Sequence, residues 1–125
     1  MKIDWNRGLV AHLGIEFIEI EIDRVVATLK VRPELLTTTE VVHGGTLMAF
    51  ADTIGAAGTV ANLAPGQNTA TLESKTNIFA ACRSGTMRAE STPLHKGKRT
   101  HVWQTRITDE SGRLLSLTIQ TQMIL

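Results

Sequence analysis

One long helix, apolar on almost every side, constrains the fold of this chain more than any other feature. The run from Gly45 to about Asn62 is the only long helix candidate in the sequence, and its apolar residues leave hardly any polar face. A helix of this kind must be buried on most of its sides. Its small residues between Gly55 and Gly58 would allow a sheet to approach closely. We therefore predict a single central helix that the other elements cover.

The remainder of the chain is typical of strands. Before the central helix, the spacing of apolar residues predicts a short helix over 4–13 and strands over 15–22 and about 25–31. A slip in the alternation at Phe17-Ile18 indicates a β-bulge. After the helix, short glycine-bearing turns separate four strand candidates over about 69–81, 86–94, 99–108 and 114–124. The residues expected on the buried side of the last strand are Leu115, Leu117, Ile119, Thr121 and Met123.

The order of these elements predicts an α+β fold, in which a curved antiparallel sheet of about six strands wraps around one long buried helix. With 125 residues, the chain is expected to form one domain over 1–125. One helix covers only one face of such a sheet. The other face or the edge strand is therefore expected to find a partner in a homo-oligomer, either a dimer or a dimer of dimers, that is, a homotetramer.

Composition narrows the classes of function. Thirteen basic and twelve acidic residues give a net charge of +1, which supports neither nucleic-acid nor membrane-surface binding. The first residues lack the apolar core of a signal peptide, and no run approaches the length of a membrane span. The one cysteine, Cys82, cannot form an internal disulfide. We expect a cytoplasmic protein, and the sequence contains no plausible metal cluster.

The start of the central helix carries the residues that suggest chemistry. His43-Gly44-Gly45 opens the helix, and Asp52 follows nine residues after the histidine. Glycines at a helix start let a ligand approach bare backbone N–H groups, whose partial positive charge suits a developing oxyanion. A carboxylate in an apolar helix is costly and needs a reason. Together they suggest a site that attacks a carbonyl; the alternative is a tight loop capped by His43, with Asp52 exposed near the end of a shorter helix.

The spacing along the helix places these groups apart. Gly45 and Asp52 share a helix face but are separated by about 10 Å along the axis, at roughly 1.5 Å per residue. This distance is too large for Asp52 to act on a carbonyl held at its own helix start. Two antiparallel copies of the helix, related by a two-fold axis, would bring each carboxylate to the glycine end of the other subunit. The sequence therefore predicts a site shared between subunits.

From about Gly8 to Leu125, the chain resembles the hotdog-fold acyl-CoA thioesterases, particularly the branch typified by the phenylacetate-pathway thioesterase. The resemblance rests on the motif 43–45 with Asp52, on the strand order, and on segments 71–77 and 93–100. It implies a hotdog fold and hydrolysis of an acyl-CoA, with coenzyme A as part of the substrate and no cofactor. It further implies that the Gly44 N–H polarises the thioester carbonyl and that Asp52 is the general base or nucleophile. His43 would help to hold the loop and the thioester end of the substrate.

One polar residue that many members of this family carry near the site is replaced in this chain. Many relatives carry an asparagine or glutamine six or seven residues before the histidine, where this chain has Thr37 or Leu36, and the hydroxyl of Thr37, Thr38 or Thr39 could replace it. Other relatives use a hydroxyl from the strand after the helix, which Thr71 or Ser74 could supply here. Both hydroxyls and Gly45 are therefore candidates for substrate binding.

A basic cluster surrounds the turn at Gly97. Lys96, Lys98 and Arg99 could bind the phosphates of coenzyme A through charge-assisted hydrogen bonds, or they could form an ordinary solvated hairpin tip. A non-catalytic protein that binds or senses acyl-CoA is the alternative function. Such a protein would share the pocket but would not need the carboxylate of Asp52.

Overall fold

The computed structural model describes residues 2–125, in which one open antiparallel sheet wraps a single long helix. The strand order is β1-β2-β4-β5-β6-β3, so β1 and β3 are the two edges. This arrangement confirms the predicted α+β fold with six strands around one buried helix. The elements are α1 (Gly8–Leu13), β1 (Ile15–Glu21), β2 (Arg24–Lys30), α2 (Gly44–Val60), β3 (Thr69–Ile78), β4 (Thr86–Lys96), β5 (Thr100–Thr108) and β6 (Leu114–Ile124).

Several boundaries differ from those predicted. The first helix begins at Gly8 and not at residue 4, because the Asp4 carboxylate accepts a hydrogen bond from the Asn6 N–H in a local turn. The segment between the second strand and the central helix contains a short 3-10 helix (Pro33–Leu35) and an isolated bridge between Leu36 and Val42. The register of β1 against β2 shifts between Phe17 and Glu19, which confirms the predicted bulge.

The buried side of β6 is the reverse of the predicted one beyond Leu115. Ile119 and Met123 are each 40% exposed, whereas polar side chains face the helix. Successive side chains of a strand point to opposite faces, so burial of the polar set leaves the apolar set on the outer face of the sheet. The buried polar residues of β6 are Ser116, Thr118, Gln120 and Gln122.

Two glycines allow α2 to lie directly on the sheet. A Cβ at Gly58 would lie 2.6 Å from Cη2 of Trp103, and a Cβ at Gly55 would lie 2.2 Å from Oε1 of Gln120. The Trp103 side chain is fully buried, and its Nε1–H donates a hydrogen bond of 2.9 Å to Thr59 Oγ1. The close approach expected from the small residues of this helix is therefore confirmed. Within residues 2–125, no helix has both the length and the apolarity to cross a membrane.

The contact between α2 and Trp103 predicts the effect of one substitution. In a helix interior, alanine is favoured over glycine by about 1 kcal/mol. Because Trp103 occupies the space beside Gly58, we expect the overpacking cost of about 1–3 kcal/mol to exceed this gain, so that Gly58→Ala lowers the free energy of unfolding. Urea unfolding measures this change, and Ala56→Gly on the same helix calibrates the propensity contribution. A more stable Gly58→Ala protein would contradict the packing described.

Candidate active site

The start of α2 leaves one backbone donor free. His43 is the N-cap residue: its Nδ1 accepts a hydrogen bond of 2.7 Å from the Gly45 N–H. Its carbonyl oxygen accepts from the N–H groups of Thr46 and Leu47 at 2.9 and 3.2 Å. Of the first four N–H groups of the helix, only that of Gly44 has no acceptor among the described residues. The Gly45 N–H, also a predicted substrate contact, is occupied by His43.

Neighbouring segments hold this helix start in place. The His43 N–H donates to the Leu35 carbonyl at 2.9 Å, and the Val42 N–H donates to the Cys82 carbonyl at 2.7 Å. The Ile78 side chain covers Gly44, since a Cβ there would lie 3.1 Å from Ile78 Cδ1. The free donor therefore belongs to a backbone that is fixed on both sides.

Asp52 lies two turns further along the helix, with one carboxylate oxygen bound and the other free. Its Oδ1 accepts hydrogen bonds from Thr71 Oγ1 at 2.7 Å and from Gln120 Nε2 at 3.2 Å. Its Oδ2 has no partner anywhere in residues 2–125, and the residue is partly exposed. Since α2 continues to Val60, Asp52 lies inside the helix and not near its end. The arrangement ties the carboxylate to the sheet and leaves one oxygen available for chemistry.

Gln120 and Gln122 belong to this site and are absent from the residues that the sequence suggested. Gln122 Oε1 accepts a hydrogen bond of 2.9 Å from Gln120 Nε2, and it lies 2.6 Å from Thr71 Oγ1. The predicted buried side of β6, from Leu115 to Met123, leaves both glutamines on the opposite face of that strand. The available signal was the spacing: two glutamines two residues apart share one face of a strand.

Thr71, and not Ser74, is the hydroxyl that the fold brings to Asp52. Ser74 lies opposite Gln120 in the register between β3 and β6. Its Oγ is buried and has no hydrogen-bond partner within the described part of the chain. The structure thus separates the two hydroxyls that the sequence offered as alternatives.

The basic hairpin lies at the opposite end of α2 from Gly44. Lys96 Nζ is 2.6 Å from the Asp23 carboxylate and 3.2 Å from Oδ1 of Asn62, which follows the end of the helix. Lys98 and Arg99 are exposed and form no ion pair within residues 2–125. A helix of 17 residues is about 25 Å long at roughly 1.5 Å per residue. One subunit alone therefore does not bring these cations to its own Gly44.

A buried histidine lies beneath this hairpin. His101 is 5% exposed, and its Nδ1 lies 3.2 Å from Oγ1 of Thr59. Since an indole N–H only donates, Thr59 accepts from Trp103 and keeps its own proton for His101 Nδ1. Burial lowers the pKa of His101, and the nearby positive charges of Lys96 and His95 lower it further. The imidazole is therefore neutral in the folded protein near neutral pH.

The lowered pKa of His101 predicts a loss of stability in acid. Below its ordinary value of 6.5, the unfolded chain binds a proton that the folded chain does not. The free energy of unfolding should therefore fall as the pH is lowered from about 6.5, until folded His101 also protonates. Urea titrations at several pH values should show a smaller decrease for His101→Gln than for the wild type. Equal decreases in the two proteins would contradict this assignment.

Comparison with known proteins gives matches to the part of the chain that carries Gly44 and Asp52. Residues 39–116 match the family model described as the thioesterase superfamily. A 1,4-dihydroxy-2-naphthoyl-CoA hydrolase of Listeria monocytogenes is 30% identical over 110 residues, covering 88% of this chain and 89% of that protein. A proofreading thioesterase of Cronobacter turicensis is 32% identical over 105 residues, covering 84% of this chain and 77% of that protein.

The fold has a close counterpart among solved structures. A thioesterase of Haemophilus influenzae has a TM-score of 0.92 and 30% sequence identity, covering 97% of this chain and 85% of that one. Agreement over nearly the whole chain confirms the hotdog fold that the resemblance implied.

Proposed function

The chain belongs to the thioesterase superfamily, and we propose that it hydrolyses acyl-CoA thioesters to a free acid and coenzyme A at a site shared by two subunits. Membership confirms the predicted class of enzyme, a thioester hydrolase. One observation carries the finer proposal. A single helix face presents one unoccupied backbone N–H, at Gly44, and one carboxylate with an unoccupied oxygen, at Asp52.

The Gly44 N–H supports the proposal as the donor to the oxyanion. Attack on a thioester places negative charge on the carbonyl oxygen, which a fixed N–H at the positive end of a helix dipole stabilises. The other N–H groups of the first turn are already engaged, so Gly44 is the donor that remains. His43 acts through this arrangement, since its imidazole occupies the Gly45 N–H and fixes the turn.

Asp52 supplies the other half of the reaction. As a general base, its Oδ2 takes a proton from water while the water oxygen adds to the acyl carbon. As a nucleophile, the same oxygen adds to the acyl carbon and water later hydrolyses the anhydride. In both routes the carbon–sulfur bond breaks and coenzyme A leaves as the thiolate or the thiol. Both routes need the free oxygen that the structure leaves on Asp52.

The spacing of the two groups supports a shared site. Gly44 and Asp52 are eight residues apart, which is about 12 Å along the helix axis. The edge strand β3, which carries Thr71 beside Asp52, has Leu72 exposed by 63% and is followed by Phe79, exposed by 58%. Pairing of two β3 edges across a two-fold axis would cover these residues and set the two α2 helices antiparallel. Each Asp52 would then face the Gly44 of the other subunit.

The same pairing would bring the basic hairpin of one subunit near the substrate of the other. Antiparallel helices place the end of one α2 beside the start of the other. Lys98 and Arg99 would thereby approach the glycine end of the neighbouring site and bind the phosphates of coenzyme A. The apolar outer face of β6, with Ile119 and Met123, offers a second surface on which two dimers would pack into a homotetramer.

Asp52 distinguishes hydrolysis from binding alone. We expect Asp52→Asn to lower kcat/KM by at least about 100-fold, because the amide neither takes a proton nor attacks carbon. The measurement is release of free thiol from a panel of acyl-CoA substrates, with Asp4→Asn as a matched control on the exposed N-terminal segment. A wild type that binds acyl-CoA but releases no thiol would indicate the non-catalytic alternative. Full activity in Asp52→Asn would overturn the role of this carboxylate.

Gly44 allows the backbone donor to be removed without breaking the helix. Proline is accepted at the first helical position, and the preceding His43 has φ −63° and ψ 138°, which suit a residue before proline. Gly44→Pro deletes the N–H, whereas Gly44→Ala keeps it and makes a similar contact with Ile78. We expect kcat/KM to be about 100- to 1000-fold lower for the proline variant than for the alanine variant. Equal activity of the two folded proteins would contradict the proposed oxyanion donor.

A further inference from the structure

We infer that Gln120 is a positioning residue: its amide holds Oδ1 of Asp52 against the sheet, so that Oδ2 is presented to the substrate. This inference rests on the proposed catalytic function of Asp52. Gln120 acts through the carboxylate and does not itself touch the thioester.

The amide group of Gln120 has a defined orientation. Its side chain is fully buried, and its Nε2 lies 3.2 Å from Asp52 Oδ1, 3.2 Å from the Asp52 carbonyl oxygen and 2.9 Å from Gln122 Oε1. All three neighbours are oxygen acceptors, so the amide nitrogen must face them. One of its two protons is donated to Gln122 Oε1. The other is shared between Oδ1 and the backbone carbonyl oxygen of Asp52.

This orientation is costly, which argues for a function. With Nε2 turned to Asp52, the Oε1 of Gln120 is buried without a hydrogen-bond partner within residues 2–125. An unpaired buried acceptor destabilises the folded state, and an apolar side chain of similar size would avoid the loss. In this position one amide proton is directed at Asp52, the one carboxylate of α2.

The surrounding backbone and side chains are shaped to the amide. A Cβ on Gly55 would lie 2.2 Å from Oε1 and 2.4 Å from Cδ of Gln120, so only glycine leaves room for it at that helix position. On the other side, Gln122 Nε2 donates to Thr69 Oγ1 at 3.1 Å, and Thr69 in turn donates to the Met123 carbonyl at 2.7 Å. The anchor of Asp52 is therefore itself fixed from both sides.

Thr71 does not provide the same anchor. Its hydroxyl has one proton but lies within 2.7 Å of Asp52 Oδ1 and within 2.6 Å of Gln122 Oε1, both of which are acceptors. It donates to only one of them at a time. One proton of the Gln120 amide faces Asp52 whichever of these two acceptors the Thr71 hydroxyl uses. None of the ion pairs within residues 2–125 involves Asp52. The neutral amide is thus the steady contact that orients the carboxylate.

The first test replaces the amide by an apolar side chain of similar size. We expect Gln120→Met to lower kcat by about 10- to 100-fold, as misplacement of a reacting group does, while KM changes little. The matched control is Thr118→Val on the same buried face of β6, which loses its 2.7 Å hydrogen bond to Thr76 and should leave kcat and KM unchanged.

A second variant disturbs the Gln120 amide through a substitution on the helix. Gly55→Ala should displace the Gln120 side chain and give the same loss of kcat with little change in KM. In a Gln120→Ala background the amide is absent, and Gly55→Ala should then cause no further loss. Independent, multiplying losses from the two substitutions would overturn the inference.

The outcomes separate this inference from the proposed function. If the wild type hydrolyses no thioester, or if Asp52→Asn is fully active, the proposed function fails. If hydrolysis depends on Asp52 but Gln120→Met keeps the wild-type kcat, only the positioning function fails. It also fails if the activity of Gln120→Met falls only in proportion to the folded fraction measured by circular dichroism.

Discussion

The close contact between α2 and the sheet is the constraint on which the other features depend. The helix backbone at Gly55 and Gly58 lies against Gln120 and Trp103 with no space for a Cβ. At this distance, a side chain on the inner face of the helix meets a specific partner on the sheet. Asp52 consequently contacts Thr71 and Gln120 directly. The same contact seats Trp103 against Thr59, which in turn fixes the buried imidazole of His101.

The inner face of β6 supplies polar side chains where the helix packs on the sheet. Most of the core is apolar, yet this one strand directs two glutamines at the helix. The Gln120 amide donates to Oδ1 of Asp52, and Gln122 Oε1 accepts the other proton of that amide. Oδ2 of Asp52 and the N–H of Gly44 are left without hydrogen-bond partners within residues 2–125.

How well the sequence predicts these features depends on how far apart along the chain the interacting residues lie. The helix, its glycine start and the carboxylate inside it depend on short-range pattern, so the central helix and the motif at 43–45 were predictable. The identity of the free donor was not fully predictable from geometry, because it depends on His43 turning its Nδ1 toward Gly45. The contact of Thr71 with Asp52, and its absence for Ser74, depends on the register between β3 and β6.

The prediction for the last strand was wrong for a related reason. Apolar alternation at Ile119 and Met123 indicates burial, but these residues lie on the outer face of the sheet. An apolar outer face is typical of a surface that packs on another subunit, and a single chain does not distinguish it from a core face. An inner face that carried Ile119 and Met123 would leave Gln120 and Gln122 on the outer face, away from Asp52.

The most direct test of the central claim combines two inactive chains in one oligomer. Asp52→Asn and Gly44→Pro chains carrying different tags would be co-expressed, purified through both tags in turn, and assayed for release of free thiol. If each site takes Gly44 from one subunit and Asp52 from the other, mixed dimers contain one intact site and should recover up to about half of the wild-type activity. Mixed oligomers that stay as inactive as either parent would contradict a site shared between subunits.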